Sequence, residues 1–211
     1  MDRGLACFLL GIFISYLLGS IPTAYILGRI LKRIDIRKFG SGNVGATNAF
    51  RILGKRSGTA VLIIDILKGF IPAVFIGDYI ILRHSLLPAH LVRITLGLAA
   101  VIGHSWTIFL NFKGGKGVAT TFGVMAGLAF EITGFKFVLM SSILIWLITL
   151  FFFRMVSLAS VLTALFFPLF MFLFNQSKEL ILTGLFFSIF IILRHLPNIQ
   201  RILKREEPHL K

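Results

Sequence analysis

Apolar residues run along this chain in long blocks instead of alternating with polar ones. The blocks fall at residues 4–28, 58–77, 94–111, 117–133, 135–153, 156–174 and 179–195, and polar residues collect between them. Each is close to the roughly 17–25 residues a helix needs to cross the hydrocarbon of a bilayer. The pattern predicts an all-α integral membrane protein: about seven transmembrane helices in one bundle, forming a single polytopic domain over residues 1–211 without an internal repeat. The fourth block is the weakest, with about 14 strongly apolar residues between Gly117 and Glu131. A re-entrant hairpin there would separate the cation-rich tail from the other cation-rich segments, so a short span is expected. Pro22, Pro72 and Pro168 fall inside blocks and are expected to kink or loosen their helices. The first block is too long, and too weakly basic at its start, to read as a cleaved signal segment. Residues 78–93 mix Ile, Leu, Arg and His, which suits a segment lying on the outer membrane surface.

Composition supports this picture, with 57% hydrophobic residues, a mean hydropathy of +0.93 and 23 phenylalanines. A net charge of +14 invites a nucleic-acid reading until the cations are placed. Arg29, Lys32, Arg33, Arg37, Lys38, Arg51, Lys55 and Arg56 lie in the first polar stretch, Lys113 and Lys116 in the third and Arg154 in the fifth. Arg194, Arg201, Lys204, Arg205 and Lys211 follow the last block. The alternate stretches hold only Arg3, Arg83, Arg93, Lys136 and Lys178, and Lys68 lies inside a block. By the positive-inside rule the amino terminus is outside, in the periplasm, and the carboxyl terminus cytoplasmic. Topogenic charge and attraction to anionic lipid account for most of these cations, and no nucleic-acid partner is expected. Cys7 is the only cysteine, so no disulfide can form within the chain.

Three polar segments on the cation-rich side carry candidate chemistry. The first contains Gly40-Ser41-Gly42-Asn43-Val44-Gly45-Ala46-Thr47-Asn48, with Arg51 beyond it. Its G-x-G-x-x-G spacing is a poor dinucleotide fingerprint, since no strand precedes it and no βαβ unit fits. Gly42 permits close backbone approach, Ser41, Asn43, Thr47 and Asn48 are short donors, and Arg51 is a fork donor suited to phosphate. A flexible solvated loop is the plainer alternative. The second segment follows Gly103-His104 and reads Phe112-Lys113-Gly114-Gly115-Lys116-Gly117, with Thr120 one turn on. Lys116 is followed by Gly117 and Val118, so Walker A spacing fails; glycine N–H groups, two ammonium groups and a helix start still suit an anion. The plainer alternative is a snorkelling interfacial turn. The third is Arg194-His195-Leu196-Pro197-Asn198-Ile199, where His195 is either a polar group brought to the same face or an inert interfacial residue.

Two further features lie in the blocks. Asp65 and Lys68 are spaced i, i+3 in the second, either as a buried buckle or with Lys68 in reach of an anion. Ser157 and Ser160 open the sixth, where small residues also serve helix packing. Several chemistries are missing: no histidine has Asp five positions later, no Gly-x-Ser-x-Gly or His-Glu-x-x-His occurs, and eight acidic residues make a two-metal carboxylate site implausible. No cofactor is expected, and a reaction at this face would need an already activated donor.

The three segments resemble the three motifs of the bacterial acyl-phosphate:glycerol-3-phosphate acyltransferases, the PlsY family, and the resemblance covers essentially the whole chain. It implies transfer of a fatty acyl group from acyl phosphate to the sn-1 hydroxyl of glycerol 3-phosphate, giving lysophosphatidic acid and phosphate. This is an entry step of phospholipid biosynthesis, expected at the cytoplasmic face of the inner membrane. The resemblance implies essential roles for Ser41 and Arg51, a glycerol 3-phosphate site around Gly114, Gly115 and Gly117, and a need for His195 and Asn198. Family members often carry Glu just before that Asn; Pro197 stands here, which puts any carboxylate's job there in question.

The physical chemistry is compatible with direct transfer, because a mixed anhydride needs alignment, charge neutralisation and desolvation more than an acyl-enzyme. Catalytic candidates are His195, Asn198, Ser41 and Arg51. Substrate-binding candidates are Gly42, Asn43, Thr47, Asn48, Lys68, His104, Lys113, Gly114, Gly115, Lys116, Gly117, Thr120 and Ser157. Either His195 or the donor phosphate would act as base. The expected partners are acyl phosphate, glycerol 3-phosphate and membrane lipids, with no obligate protein partner. An anion transporter fits less well, because its polar groups would sit at the midplane between repeated halves, and a lipid-binding scaffold without turnover would release no phosphate.

Overall fold

The computed structural model describes residues 3–83 and 87–209. Asp2, His84 and Lys211, which enter the charge and motif readings above, lie outside the described residues, as does part of the 78–93 stretch. Among the described residues every regular element is helical. By internal packing the chain divides into two compact units, Met1–Leu128 and Ala129–Lys211, where the sequence suggests one domain.

The first unit begins with α1 (Arg3–Ser20) and α2 (Thr23–Lys32), one apolar stretch interrupted at Ile21 and Pro22. Pro22 has no N–H to donate, so carbonyls near the end of α1 lose helical partners. Side chains replace them: Lys68 Nζ donates to the Ile21 carbonyl at 2.6 Å and Thr107 Oγ1 to that of Ser20. Then come α3 (Ala46–Leu53), α4 (Lys55–Ile71), a π-helical turn at Pro72–Ile76 and α5 (Gly77–Arg83). Pro72 therefore widens the second span without ending it. The buried Arg93 guanidinium in α6 (Ala89–Ser105) serves the widened turn, donating to the carbonyls of Ala73 at 3.1 Å and Val74 at 3.4 Å. After α6 the chain makes a short 3₁₀ turn at Ile108–Leu110 and enters α7 (Val118–Glu131).

Packing in this unit depends on small residues, as expected where lipid and core are equally apolar. Gly19 on α1 lies against the Ala100 carbonyl and Gly103 on α6 against that of Tyr16, so α1 and α6 touch backbone to backbone. Gly69 and Gly123 do the same for α4 and α7. Between the first two apolar blocks, residues 29–57 are expected to be loop. The structure places α3 there, because Ala49 and Leu53 pack with Ala24 of α2, Val61 of α4 and Leu110. Arg51 is exposed on this helix.

The second unit contains α8 (Phe135–Phe153), α9 (Val156–Leu173), α10 (Lys178–Arg194) and α11 (Leu196–Leu203). α9 packs on both α8 and α10, and α9 runs unbroken through Pro168. Gly184 leaves room for the Met171 sulfur between α9 and α10. Hydroxyls of Ser142, Thr149 and Ser160 bond carbonyls four residues back, which satisfies them inside an apolar layer. Phe151 and Phe152 are 78% and 73% exposed, a surface suited to lipid and not to water.

Among the described residues five helical stretches are long and apolar enough to cross a membrane: Arg3–Lys32, Lys55–Arg83, Ala89–Leu110, Phe135–Phe153 and Val156–Leu173. The α10–α11 pair, bent by 59°, makes a sixth if taken as one span. The remaining block of the sequence reading is α7, apolar but only 14 residues long.

Candidate active site

The first glycine-rich segment is folded, not flexible. Asp35 caps a short 3₁₀ turn at Ile36–Lys38 and pairs with Arg37, whose Nη2 donates to it at 2.7 Å. The hydrogen bond from the Arg37 side chain, opposed in part by burial, lowers the Asp35 carboxyl to about 2. Arg29 and Arg37 both stack on the Tyr25 ring, 5.2 and 5.1 Å from its centroid. Asn48, 1% exposed, holds the rest of the segment. Its amide donates to the carbonyls of Asn43 at 2.9 Å and Phe39 at 3.1 Å, and accepts from the Ser41 N–H at 3.0 Å. Asn43 accepts from the Gly45 N–H at 3.0 Å. Asn48 and Asn43, expected as ligand donors, thus spend side-chain capacity on the segment itself. Ser41 and Arg51 are presented at its surface, and Thr47 is half-buried.

The second segment folds back onto the end of α6. The Gly115 N–H donates to the His104 carbonyl at 3.0 Å and the Gly114 N–H to that of Ser105 at 3.1 Å. A Cβ on Gly114 would strike the His104 carbonyl oxygen, so that position requires glycine, and one on Gly115 would strike the His104 Nε2, so the imidazole would have to move. Gly117 has φ +81°, a left-handed turn that aims the chain into α7. The amides expected to hold an anion are therefore partly used by the fold, and the donors that remain are those of the first turn of α7. Thr120 and Thr121 sit in that turn, 0% and 3% exposed, with hydroxyls lacking a partner among the described residues. Lys113 is exposed and Lys116 half-buried.

The structure brings these two segments together. Val44 of the first and Leu110, just before the second, share one apolar cluster. A small cleft beside it is lined by Val44, Lys68, His104 and Thr107, with the Pro22 break forming one wall. Within it Lys68 Nζ lies 2.6 Å from Asp65 Oδ1, and His104 Nδ1 lies 3.8 Å from the same oxygen.

The third segment belongs to the second unit. His195 is 3% exposed, and its Nδ1 lies 2.7 Å from the Ile191 carbonyl. A carbonyl only accepts, so Nδ1 carries the proton, and whenever the ring is neutral Nε2 is its basic atom. The His195 carbonyl accepts the Asn198 N–H at 2.8 Å, which makes the turn between α10 and α11. Asn198 Nδ2 donates to Glu207 Oε1 at 2.6 Å, Ser157 Oγ to the same oxygen at 2.7 Å, and Arg201 Nε to Oε2 at 2.7 Å. Burial raises the Glu207 carboxyl, but the bonds from Ser157, Arg201 and Asn198 outweigh it and leave the group below its ordinary value.

Glu207 is the residue the sequence reading missed. The resemblance puts the job of a carboxylate at position 197 in question because Pro197 stands there, and the carboxylate that bonds Asn198 comes from ten residues on, in the tail. Its signal in the sequence is faint: an acidic pair, Glu206-Glu207, interrupting a basic run. Ser157, a substrate-binding candidate by sequence, donates its hydroxyl proton to this carboxylate instead.

Comparison with known proteins bears on all of these segments. The family model for glycerol-3-phosphate acyltransferase matches residues 9–205. A glycerol-3-phosphate acyltransferase of Macrococcus caseolyticus (strain JCSC5402) is 44% identical over 200 residues, covering 95% of both chains. Another, from Prochlorococcus marinus (strain NATL2A), is 39% identical over 206 residues, 96% of this chain and 98% of the relative. The crystal structure of PlsY, an integral membrane glycerol 3-phosphate acyltransferase, in its glycerol 3-phosphate form superposes with a TM-score of 0.84 at 37% identity. That match covers 97% of this chain and 96% of the other.

Proposed function

Because the chain belongs to the glycerol-3-phosphate acyltransferase family, we propose that it transfers a fatty acyl group from acyl phosphate to the sn-1 hydroxyl of glycerol 3-phosphate. The products are lysophosphatidic acid and phosphate, and the reaction takes place at the cytoplasmic face of the inner membrane, with the amino terminus outside. α7 crosses the bilayer as a short seventh span, and the whole chain acts as one catalytic protein. The observation that carries the reading is the glycine turn before α7. Gly114 and Gly115 are tied to α6, so the α7 start, with Lys113 and Lys116 just before it and two threonine hydroxyls that lack a partner among the described residues, offers an anion cradle in an apolar protein. A phosphate on the acceptor suits that cradle.

Acyl phosphate carries its own leaving group, so Ser41 is a phosphate donor contact and not a nucleophile. Two anionic substrates repel each other; Arg51, Lys113 and Lys116 offset that repulsion and help bring the hydroxyl within about 3–3.5 Å of the carbonyl carbon. His195, with Nε2 as its basic atom, takes the hydroxyl proton as the new ester bond forms and the acyl–phosphate bond breaks. Asn198 keeps the His195 turn in shape. The acidic inventory and the anhydride donor make metal or cofactor assistance unnecessary to this scheme.

The test is turnover by purified protein in detergent. Acyl phosphate and glycerol 3-phosphate should give lysophosphatidic acid and inorganic phosphate in equal amounts. Equal or faster product formation from acyl-CoA would refute the donor assignment, and no product from either would refute the reading as a whole.

A further inference from the structure

The chemistry proposed above gives no task to Asp65, although a carboxylate at this depth is costly. Asp65 and Lys68 are 2% and 5% exposed, in the second membrane-spanning stretch, where ionised groups persist only when they are paired and useful. Lys68 directs one donor to Asp65 Oδ1 and another to the Ile21 carbonyl, each at 2.6 Å. It is therefore occupied with the break in the first span and is poorly placed to act as an open ammonium for substrate. Asp65 faces a second group as well. His104 Nδ1 stands 3.8 Å from the same carboxylate oxygen.

The imidazole continues the line. His104 is 8% exposed, and its Nε2 lies so close to Gly115 that a methyl group there would overlap it. The backbone of the same histidine accepts the Gly115 N–H, and its neighbour Ser105 accepts that of Gly114. Carboxylate, imidazole and glycine turn thus follow one another in contact. A buried ring that faces a carboxylate oxygen 3.8 Å away on one side and abuts a turn without side chains on the other has little space in which to rotate, and the turn packs against it.

We propose that Asp65 is a positioning residue of the acceptor site: it fixes His104, and His104 fixes the Gly114–Gly117 turn so that the first-turn amides of α7 meet the acceptor's phosphate. Asp65 itself does not touch substrate. Lys68 neutralises the carboxylate and ties it to the Pro22 break, so the broken first span, the ion pair and the glycine turn form one support. The inference rests on the acyltransferase reading and adds a residue that the three polar segments do not contain.

The test pairs kinetics with binding in detergent. D65N alone strands a buried ammonium, so the informative variant is D65N/K68M, which removes both charges together. It is expected to melt within a few degrees of the parent, with KM for glycerol 3-phosphate raised at least tenfold. Its kcat and its KM for acyl phosphate should stay within about threefold, and stabilisation by glycerol 3-phosphate in thermal melts should be lost. H104N alone should raise the same KM to a similar extent, and H104N added to D65N/K68M should raise it less than twofold further. An unchanged KM in folded D65N/K68M, or a loss confined to kcat, overturns the proposal. Fully multiplicative effects of H104N and D65N/K68M also overturn it, and would make Lys68 an independent contact. If D65N/K68M fails to fold, H104N carries the test with the ion pair intact, and an unchanged KM there is decisive. A parent that makes no lysophosphatidic acid sinks the acyltransferase reading, whereas the glycerol 3-phosphate melting shift still reports on the link between Asp65 and the turn.

Discussion

Replacing Glu207 by alanine removes the carboxylate that accepts from three donors, two of them buried. The Ser157 hydroxyl and the Asn198 amide belong to residues 6% and 5% exposed, so water cannot readily take the carboxylate's place. Each buried donor left unmatched costs about 1–3 kcal/mol. Arg201, 37% exposed on its side chain, can turn to solvent and adds less. The total comes to about 3–5 kcal/mol, the range found when one partner of a buried ion pair is removed. For a chain of this size that corresponds to a fall in Tm on the order of 10 °C. Thermal melting in detergent reads it, with E207Q expected between parent and E207A because the amide keeps the shape but offers its NH₂ where donors already point. The pH dependence has a definite sign. The folded Glu207 carboxyl lies below its ordinary value, so its contribution is complete above the ordinary carboxylate range and is lost as pH falls through the folded value. The gap in Tm between parent and E207Q should therefore narrow on acidification. A melting temperature for E207A within about 1 °C of the parent, against the scale of 2–4 °C per kcal/mol, would refute the argument, as would a gap independent of pH.

Three other outcomes are expected. H195Q should lower kcat at least about 100-fold with little change in KM, as removal of a general base does; a change confined to KM would remove His195 from that role, and single-turnover experiments should trap no acyl group on Ser41. G114A should cost about 1–3 kcal/mol, because the new methyl meets the His104 backbone carbonyl and not a movable side chain. Its KM for glycerol 3-phosphate should rise, and wild-type kinetics would count against the folded-back turn. N48A should cost about 2–3 kcal/mol from the bonds lost to the first glycine segment. Activity should fall through Ser41 and Arg51 losing their placement; a fully active N48A would show that the segment keeps its shape without the latch.

Much of this protein could be read directly from the order of its residues. Long apolar blocks become membrane-length helices because every backbone group in lipid must be bonded within its own segment, a requirement that leaves few options. The fifth block, 135–153, coincides with α8, and the other ends differ by a few residues except where the break at Pro22 carries the first stretch on to Lys32 and the second extends to Arg83. The three polar motifs were equally visible, since unusual strings of glycine, lysine and asparagine at the edges of apolar blocks have few structural uses. α3 was not visible: eight residues carry little periodic signal, and what holds this helix is burial against α2, α4 and Leu110.

The sequence by itself determined the solvent, the helical class and the family, because hydropathy and local motifs act over a few turns of chain. Tertiary structure alone decided which donors are already spent. Nothing in the spacing of Asn48, Gly114 or Lys68 reveals that Asn48 closes its own loop, that the Gly114 amide belongs to Ser105, or that Lys68 caps the carbonyl of a residue 47 positions away. The same is true of Glu207, whose partners Ser157 and Asn198 lie 50 and 9 positions back. Such pairings are fixed by the cost of leaving a buried polar group unmatched, and that cost exists only once packing has removed the water.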